Sequence, residues 1–243
     1  MTTSTVPSAS LGTNLARLIG GDSLCASTIK LERRDVVYGC LDGDRSMYLV
    51  EAGQLKAVAP SRDGKECLLG IYTAGDVFGE LCLIDSERTE TVTAMAPTLL
   101  RRISAARVVA ALSDAGLREE FVRYLANRLF EQQQLITDLV TADSEYRLAA
   151  ILLHLARKLG KRDAHLLRID ERITQEELSG MVGTTRSRVG FFLKRFRAAG
   201  LVSRAAGCFL VVNEPRLATF MAGGYQPAVR QLDGQAASRR PAA

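Results

Sequence analysis

Residues 173–202, ITQEELSGMVGTTRSRVGFFLKRFRAAGLV, constrain the fold more than any other stretch of the chain. Two helical patterns flank Gly183, and the second is strongly basic. Thr174 and Glu177 stand at capping-box spacing, so each can satisfy a backbone donor at the start of the first helix. That helix is expected to bury Leu178, Met181 and Val182. Gly183 supplies the backbone freedom of a tight turn, and Thr185 is placed to cap the second helix. The second helix carries Val189, Phe192, Leu193 and Phe196 on one apolar face. Arg186, Ser187 and Arg188 fall in its first turn, the part of a helix-turn-helix that meets base edges. The competing reading is a plain helical hairpin with a solvated basic end. Turn and charge placement favour the arrangement that reads DNA.

The charge distribution agrees with that reading. Residues 144–221 hold 14 lysines and arginines against 7 acidic residues, whereas residues 14–115 hold 12 against 14. Positive charge therefore collects around the helix-turn-helix, as a surface for DNA phosphates requires. No run is apolar for long enough to cross a bilayer. The opening MTTSTVPSASLG lacks the basic and apolar regions of a secretory signal, so a cytoplasmic location is expected, with no membrane partner. The five cysteines are dispersed without CxxC spacing and read as buried free thiols. His154, inside the apolar run 151–155, reads as a core side chain rather than a ligand. No nucleophile–base or metal constellation marks an enzyme.

Along the chain, residues 1–13 are small and polar and read as mobile. From about Leu15 to Ile103, Gly-containing turns punctuate short β-rich runs, among them Ser46–Val50, Leu55–Ala59 and Cys67–Tyr72. Asp63-Gly64 between two such runs is a hairpin signal. The pattern predicts a compact antiparallel roll over 14–115. From Leu117 to Ala142 it switches to one long helix. Val122, Leu125, Leu129, Gln132, Ile136 and Leu139 repeat at three- and four-residue steps, the seam of a helix that pairs along its length. The alternative is a helix lying against its own domain. A dimerisation helix over 116–143 would join the roll to a winged helix-turn-helix over 144–221. Gly207–Val212 would form a strand of the wing, and residues 222–243 read as a disordered tail.

A roll, a long pairing helix and a winged helix-turn-helix in this order resemble the catabolite activator/fumarate-nitrate regulator (CRP/FNR) superfamily. The resemblance spans about residues 14–215. Its strongest pieces are Tyr72–Leu83 (YTAGDVFGELCL), Met47–Gly53 (MYLVEAG) and the helix-turn-helix itself. It implies an α+β fold and a dimeric bacterial transcription factor with an N-terminal effector domain. In cyclic-nucleotide-binding members, Gly79, Glu80 and Leu81 would open a short helical turn whose backbone N–H groups face the cyclic phosphate. Glu80 would accept from the ribose hydroxyl, and Arg88 and Thr89 would hold the phosphate. Gln132 and Gln133 stand where the long helix offers Thr-Ser to adenine. The implied effector is cAMP, cGMP or another cyclic nucleotide.

Three departures bear on that effector. The connection from Glu80 to Arg88 is shorter than in the catabolite activator, and the Gln pair alters the base subsite. Glu90 replaces a small residue and would point to the same face as Arg88, ready to pair with it. An ion pair between Glu80 and Arg88 that simply holds the roll together is an equal alternative. A regulator with a degenerate pocket, controlled by its abundance or by partner proteins, is the main functional alternative. A regulatory module of an enzyme or channel is a remote one.

For DNA, Arg186 matches the first base-contacting arginine of the family, suited to guanine. Ser187, Arg188 and Phe191 depart from the catabolite activator, so the half-site should differ too. Lys194, Arg195 and Arg197 read as phosphate contacts or solvated charges. Thr174, Gln175, Thr184 and Thr185 are candidates for positioning the backbone of double-stranded DNA. A two-fold dimer implies an inverted-repeat operator, and an activator would also meet RNA polymerase.

Overall fold

The computed structural model describes residues 9–20, 24–60, 66–84, 87–170, 173–205 and 209–223. Helix α1 (Ala9–Gly20) leads into strands β1 (Ser27–Leu31), β2 (Val36–Tyr38), β3 (Ser46–Ala52), β4 (Gln54–Pro60), β5 (Glu66–Thr73) and β6 (Val77–Phe78). A 3-10 turn (Glu80–Leu83), β7 (Thr91–Ala94) and β8 (Thr98–Ser104) complete the roll. Its strands form two antiparallel sheets, ordered β1-β8-β3-β6 and β2-β7-β4-β5. Tyr38, Tyr48, Val50, Leu55, Tyr72, Phe78, Val92 and Leu100 pack between them.

β3 does not alternate between apolar and polar residues, because both of its faces are covered. Tyr48 and Val50 point into the roll. Met47 and Leu49 point outward, into a second cluster with Leu11, Leu15, Leu117, Phe121 and Tyr124. That cluster lies under α1, α2 (Ala105–Ala111) and the first turns of α3 (Ala115–Thr141). The reading of residues 1–13 as mobile is thereby corrected in part: residues 9–13 are helical, and Leu11 is 1% exposed. Leu11, Leu15 and Leu18 recur at helical spacing, a stripe too short to stand out among the small residues around it.

Helix α3 stays tied to the roll as far as Arg128, whose Nη2 lies 3.4 Å from Glu80 Oε1. Val122, Leu125, Leu129, Ile136 and Leu139 are all exposed on the single chain. After the cap at Asp143 come α4 (Ser144–Leu159), β9 (Lys161–Asp163), β10 (Leu166–Ile169), α5 (Gln175–Val182) and α6 (Arg186–Ala198). The described residues close with β11 (Val202–Ser203), β12 (Leu210–Asn213) and α7 (Glu214–Ala222). The four C-terminal strands form a sheet ordered β11-β12-β10-β9. His154 is exposed on α4 rather than buried, because the buried stripe there runs through Leu148, Leu152 and Leu155. The Asp63-Gly64 turn, Cys208 and residues 224–243 of the expected tail lie outside the described residues.

The C-terminal core does not stop at its own domain. Leu148, Leu152, Leu178, Val182, Val189 and Phe196 share one cluster with Val58, Leu68 and Ile71 of the β4–β5 hairpin. Two ion pairs border this contact, Lys56–Glu177 at 2.7 Å and Lys158–Asp76 at 2.9 Å. The sequence pattern assigned the link between the two units to α3 alone. The second contact comes from strands whose outward residues are apolar, which periodicity cannot assign to a partner.

Phe78 is fully buried and stacks on Tyr48 and Tyr72, with ring centroids 5.1 and 4.7 Å away. Phe78→Ala should destabilise the protein by about 3–5 kcal/mol, read from urea denaturation followed by far-UV circular dichroism.

Candidate effector pocket and nucleic-acid interface

In the roll, the path of the chain after β6 decides what the candidate effector residues can do. Gly79 adopts a left-handed conformation (φ 86°) and starts the 3-10 turn. A Cβ there would lie 2.9 Å from the Ser46 carbonyl and 3.1 Å from Arg88 Nη1, so only glycine leaves room for that guanidinium. Glu80 turns toward the long helix. Its Oε2 lies 3.1 Å from the Tyr124 hydroxyl and its Oε1 lies 3.4 Å from Arg128 Nη2. Burial, together with the charge of Glu80, raises the Tyr124 phenol far above its ordinary pKa, so it stays a neutral donor. Glu80 thus wires the turn to α3.

Arg88 does something the sequence did not suggest. It is 2% exposed, and its Nη2 donates to Asp44 Oδ2 at 2.8 Å. Nη1 donates to the Gly79 carbonyl at 3.0 Å, and Nη2 also meets the Ser46 carbonyl. The guanidinium lies 4.0 Å from the centre of the Tyr38 ring, a cation–π distance. Both expected ion pairs of Arg88, with Glu90 and with Glu80, are therefore corrected. Glu90 is buried, but it accepts from the Tyr38 hydroxyl at 2.8 Å and from the Thr89 hydroxyl at 2.7 Å. Glu80 is taken up by α3. Asp44 wins because the loop before β3 brings it beside β8, where Arg102 Nη2 lies 2.5 Å from its other oxygen. The Tyr48 hydroxyl adds a third donor at 2.7 Å.

The structure therefore brings Gly79 and Arg88 together and places Thr89 at the rim, exposed. Leu81 is exposed, and Gln132 and Gln133 stand exposed on α3, a turn beyond Arg128. Asp44, Tyr38, Tyr48, Arg102, Tyr124 and Arg128 are the site residues that sequence reasoning missed. Asp44 and Arg88 are 44 positions apart, and nothing local marks the pairing.

The C-terminal surface follows its local signals closely. The Thr174–Glu177 capping box is formed on both sides, and Glu177 also holds Lys56 of the roll. Gly183 is left-handed (φ 66°), and the Thr185 hydroxyl caps α6 at the Arg188 N–H. Val189, Phe192, Leu193 and Phe196 are buried. Arg186, Ser187, Arg188 and Lys194 are exposed on the other side, with Phe191 among them at 58%. Arg195 is already paired with Glu145 at 3.0 Å. Thr184 and Gln175 are half-buried, and Thr174 is exposed. A cleft of about 790 Å³ separates α5 and α6 from the chain after β11, lined among others by Gln175, Arg186, Arg197 and Arg204. Three guanidinium groups around one cleft suit the phosphates of a DNA strand. Burial, then the charge of Arg204, lowers the pKa of Arg197.

Two domain families match separate stretches of the chain. The cyclic nucleotide-binding domain family matches residues 28–114, and the Crp-like helix-turn-helix domain family matches residues 146–220. The CRP-like cAMP-activated global transcriptional regulator of Mycobacterium tuberculosis is 33% identical over 180 residues, 72% of this chain and 79% of that protein. Among solved structures, a CRP-family transcriptional regulator of Thermus thermophilus superposes with a TM-score of 0.66 at 24% identity, over 81% of this chain and 97% of that one. The c-di-GMP responsive global regulator of Xanthomonas campestris superposes with a TM-score of 0.67 at 21% identity, over 81% and 98%. These two likenesses establish the fold, and the effectors and roles of those proteins remain their own.

Burial alone would raise the Asp44 carboxyl, but hydrogen bonds from Arg88, Tyr48, Ser46 and Arg102 outweigh it and hold its pKa below the usual value. A depressed carboxylate stabilises the fold above its unfolded pKa of about 3.9, and that contribution disappears as pH falls through the folded value. Urea midpoints of the wild type should therefore fall below about pH 4. Asp44→Asn should lower the midpoint at neutral pH and shrink the acid-dependent part of the fall.

Proposed function

Because the chain belongs to the CRP/FNR superfamily of DNA-binding transcription regulators, we propose that it works as a homodimer whose two helix-turn-helix units read an inverted-repeat operator under control of the roll. The observation that carries this reading is the first turn of α6. Arg186, Ser187 and Arg188 are exposed there while the opposite face of the same helix is buried. Arg186 is assigned to a guanine edge. Thr174, Gln175, Thr184, Thr185 and Lys194 are assigned to the phosphate backbone.

The dimer is supported by the exposed seam of α3. Val122, Leu129 and Ile136 are each about 60% exposed on the single chain, and a heptad seam of this kind is covered by a second helix. The pairing partner of this reading is another copy of α3. Control then follows from geometry. Glu80 is bonded to Tyr124 and Arg128, so an effector that engages Glu80 acts directly on α3. An effector can shift DNA affinity only through different affinities for the two arrangements of the C-terminal units. The break after Thr141, where Ala142 is extended and Asp143 caps α4, is the hinge of this reading.

A cyclic nucleotide such as cAMP or cGMP is the effector class that the family assignment supports, held by Gly79, Glu80, Leu81, Arg88 and Thr89 with Gln132 and Gln133 at the base. The engagement of Arg88 by Asp44 favours a second reading, a regulator that needs no ligand and answers to its abundance or to partner proteins. RNA polymerase is a partner in either case if the protein activates. Among the described residues, no helix is long and apolar enough to cross a membrane.

An operator selected from a random duplex pool should bind with an affinity that falls steeply with salt. Arg186→Ala should cost about 1–3 kcal/mol of specific binding and relax the preference at one base pair, read by fluorescence anisotropy. Unchanged binding would remove α6 from the interface. Leu129→Glu combined with Ile136→Glu should shift the protein to monomer in analytical ultracentrifugation and abolish operator binding. A double variant that remains dimeric would place the dimer contact elsewhere.

A further inference from the structure

We infer that Asp44 is an internal anion standing in for the effector's phosphate on Arg88, so that the roll disfavours cyclic nucleotides until this carboxylate is displaced. The inference rests on the reading of Arg88 as the effector-facing arginine and deepens it. Arg88 offers no open face: it is 2% exposed and lies against Tyr38. Both terminal nitrogens are committed, Nη1 to the Gly79 carbonyl and Nη2 to Asp44 and the Ser46 carbonyl. Among its nitrogens only Nε lacks a partner, and it too is buried.

Asp44 has the surroundings of a bound anion. Its Oδ2 receives Arg88 at 2.8 Å and the Tyr48 hydroxyl at 2.7 Å, and its Oδ1 receives Arg102 at 2.5 Å. Two guanidinium groups and a phenol converging on one oxyanion are the donors a phosphate would use, with each bond charge-assisted. Here the oxyanion belongs to the chain. A tethered group competes at a high effective concentration, so a free phosphate of similar chemistry begins at a disadvantage. Thr89, the second member of the phosphate pair, is engaged as well. Its hydroxyl donates to Glu90 Oε2 at 2.7 Å, and Tyr38 fixes the other oxygen of Glu90. Two acidic side chains thus hold the two residues that a cyclic phosphate would need.

The test is calorimetric titration of the nucleotide-stripped full chain with cAMP, and separately with adenosine, which lacks the phosphate. Asp44→Asn keeps the shape and removes the charge. It should bind cAMP at least about tenfold more tightly than the wild type, with adenosine affinity unchanged. Arg88→Gln placed on top of Asp44→Asn should erase the gain. The inference is overturned if Asp44→Asn binds cAMP no more tightly than the wild type. It is equally overturned if cAMP and adenosine gain alike, because the variant would then have loosened the roll rather than freed a phosphate site. Should Asp44→Asn not fold, the wild-type isotherm decides. Micromolar cAMP binding that Arg88→Gln removes overturns the inference, and binding confined to the millimolar range or absent supports it. Operator binding, measured in parallel, separates the two levels. Its absence in the wild type would count against the DNA-reading function, while the isotherms alone decide the role of Asp44.

Discussion

Strand β3 is buried on both faces, and the N-terminal half of the molecule depends on that. Its inward residues, Tyr48 and Val50, close the roll; its outward residues, Met47 and Leu49, seat α1, α2 and the start of α3. One strand therefore belongs to two cores at once, and neither can shift without moving the other, because packed interiors transmit displacement. The Tyr48 hydroxyl extends this connection to Asp44, and through Asp44 to Arg88 and Arg102. The polar centre of the roll is thus fixed to the same strand that carries the helices.

A charged side chain inside a core is tolerated only when it is paired and hydrogen-bonded. That condition explains the composition around Arg88: a carboxylate, two backbone carbonyls and an aromatic face surround it. It also explains Gly79, whose missing Cβ is what lets the guanidinium reach the turn. Removing one partner of such a set costs more than the pair contributes, since the other charge remains buried. The arrangement resists piecemeal change, and an effector would have to replace a partner rather than add one.

The two halves of the chain meet at more than α3. Glu177 caps α5 with one carboxylate oxygen and holds Lys56 with the other, so the start of the helix-turn-helix is tied to β4. This ion pair is partly exposed and contributes only about 0–1 kcal/mol by itself. The larger part of the contact is apolar, Val58, Leu68 and Ile71 against the C-terminal core. The roll therefore touches the rest of the chain in two places: α3, through Glu80 with Tyr124 and Arg128, and the helix-turn-helix unit, through the β4–β5 hairpin.

Local signals determined most of what could be read from the sequence. Thr174 and Glu177, Gly183, Thr185 and the four buried residues of α6 are set by capping and by helical period, which act within a few residues. The runs that became β3, β4 and β5, and the exposed seam of α3, were legible for the same reason. The short helix α1 was missed because its apolar stripe spans barely two turns. The partners of Arg88 and Glu80 were decided only by the tertiary structure. Charge chemistry demands that a buried guanidinium find a carboxylate, but it does not say which. Glu90, two residues away, was the partner that strand alternation suggested, and Asp44 was the one that the fold brought within 2.8 Å.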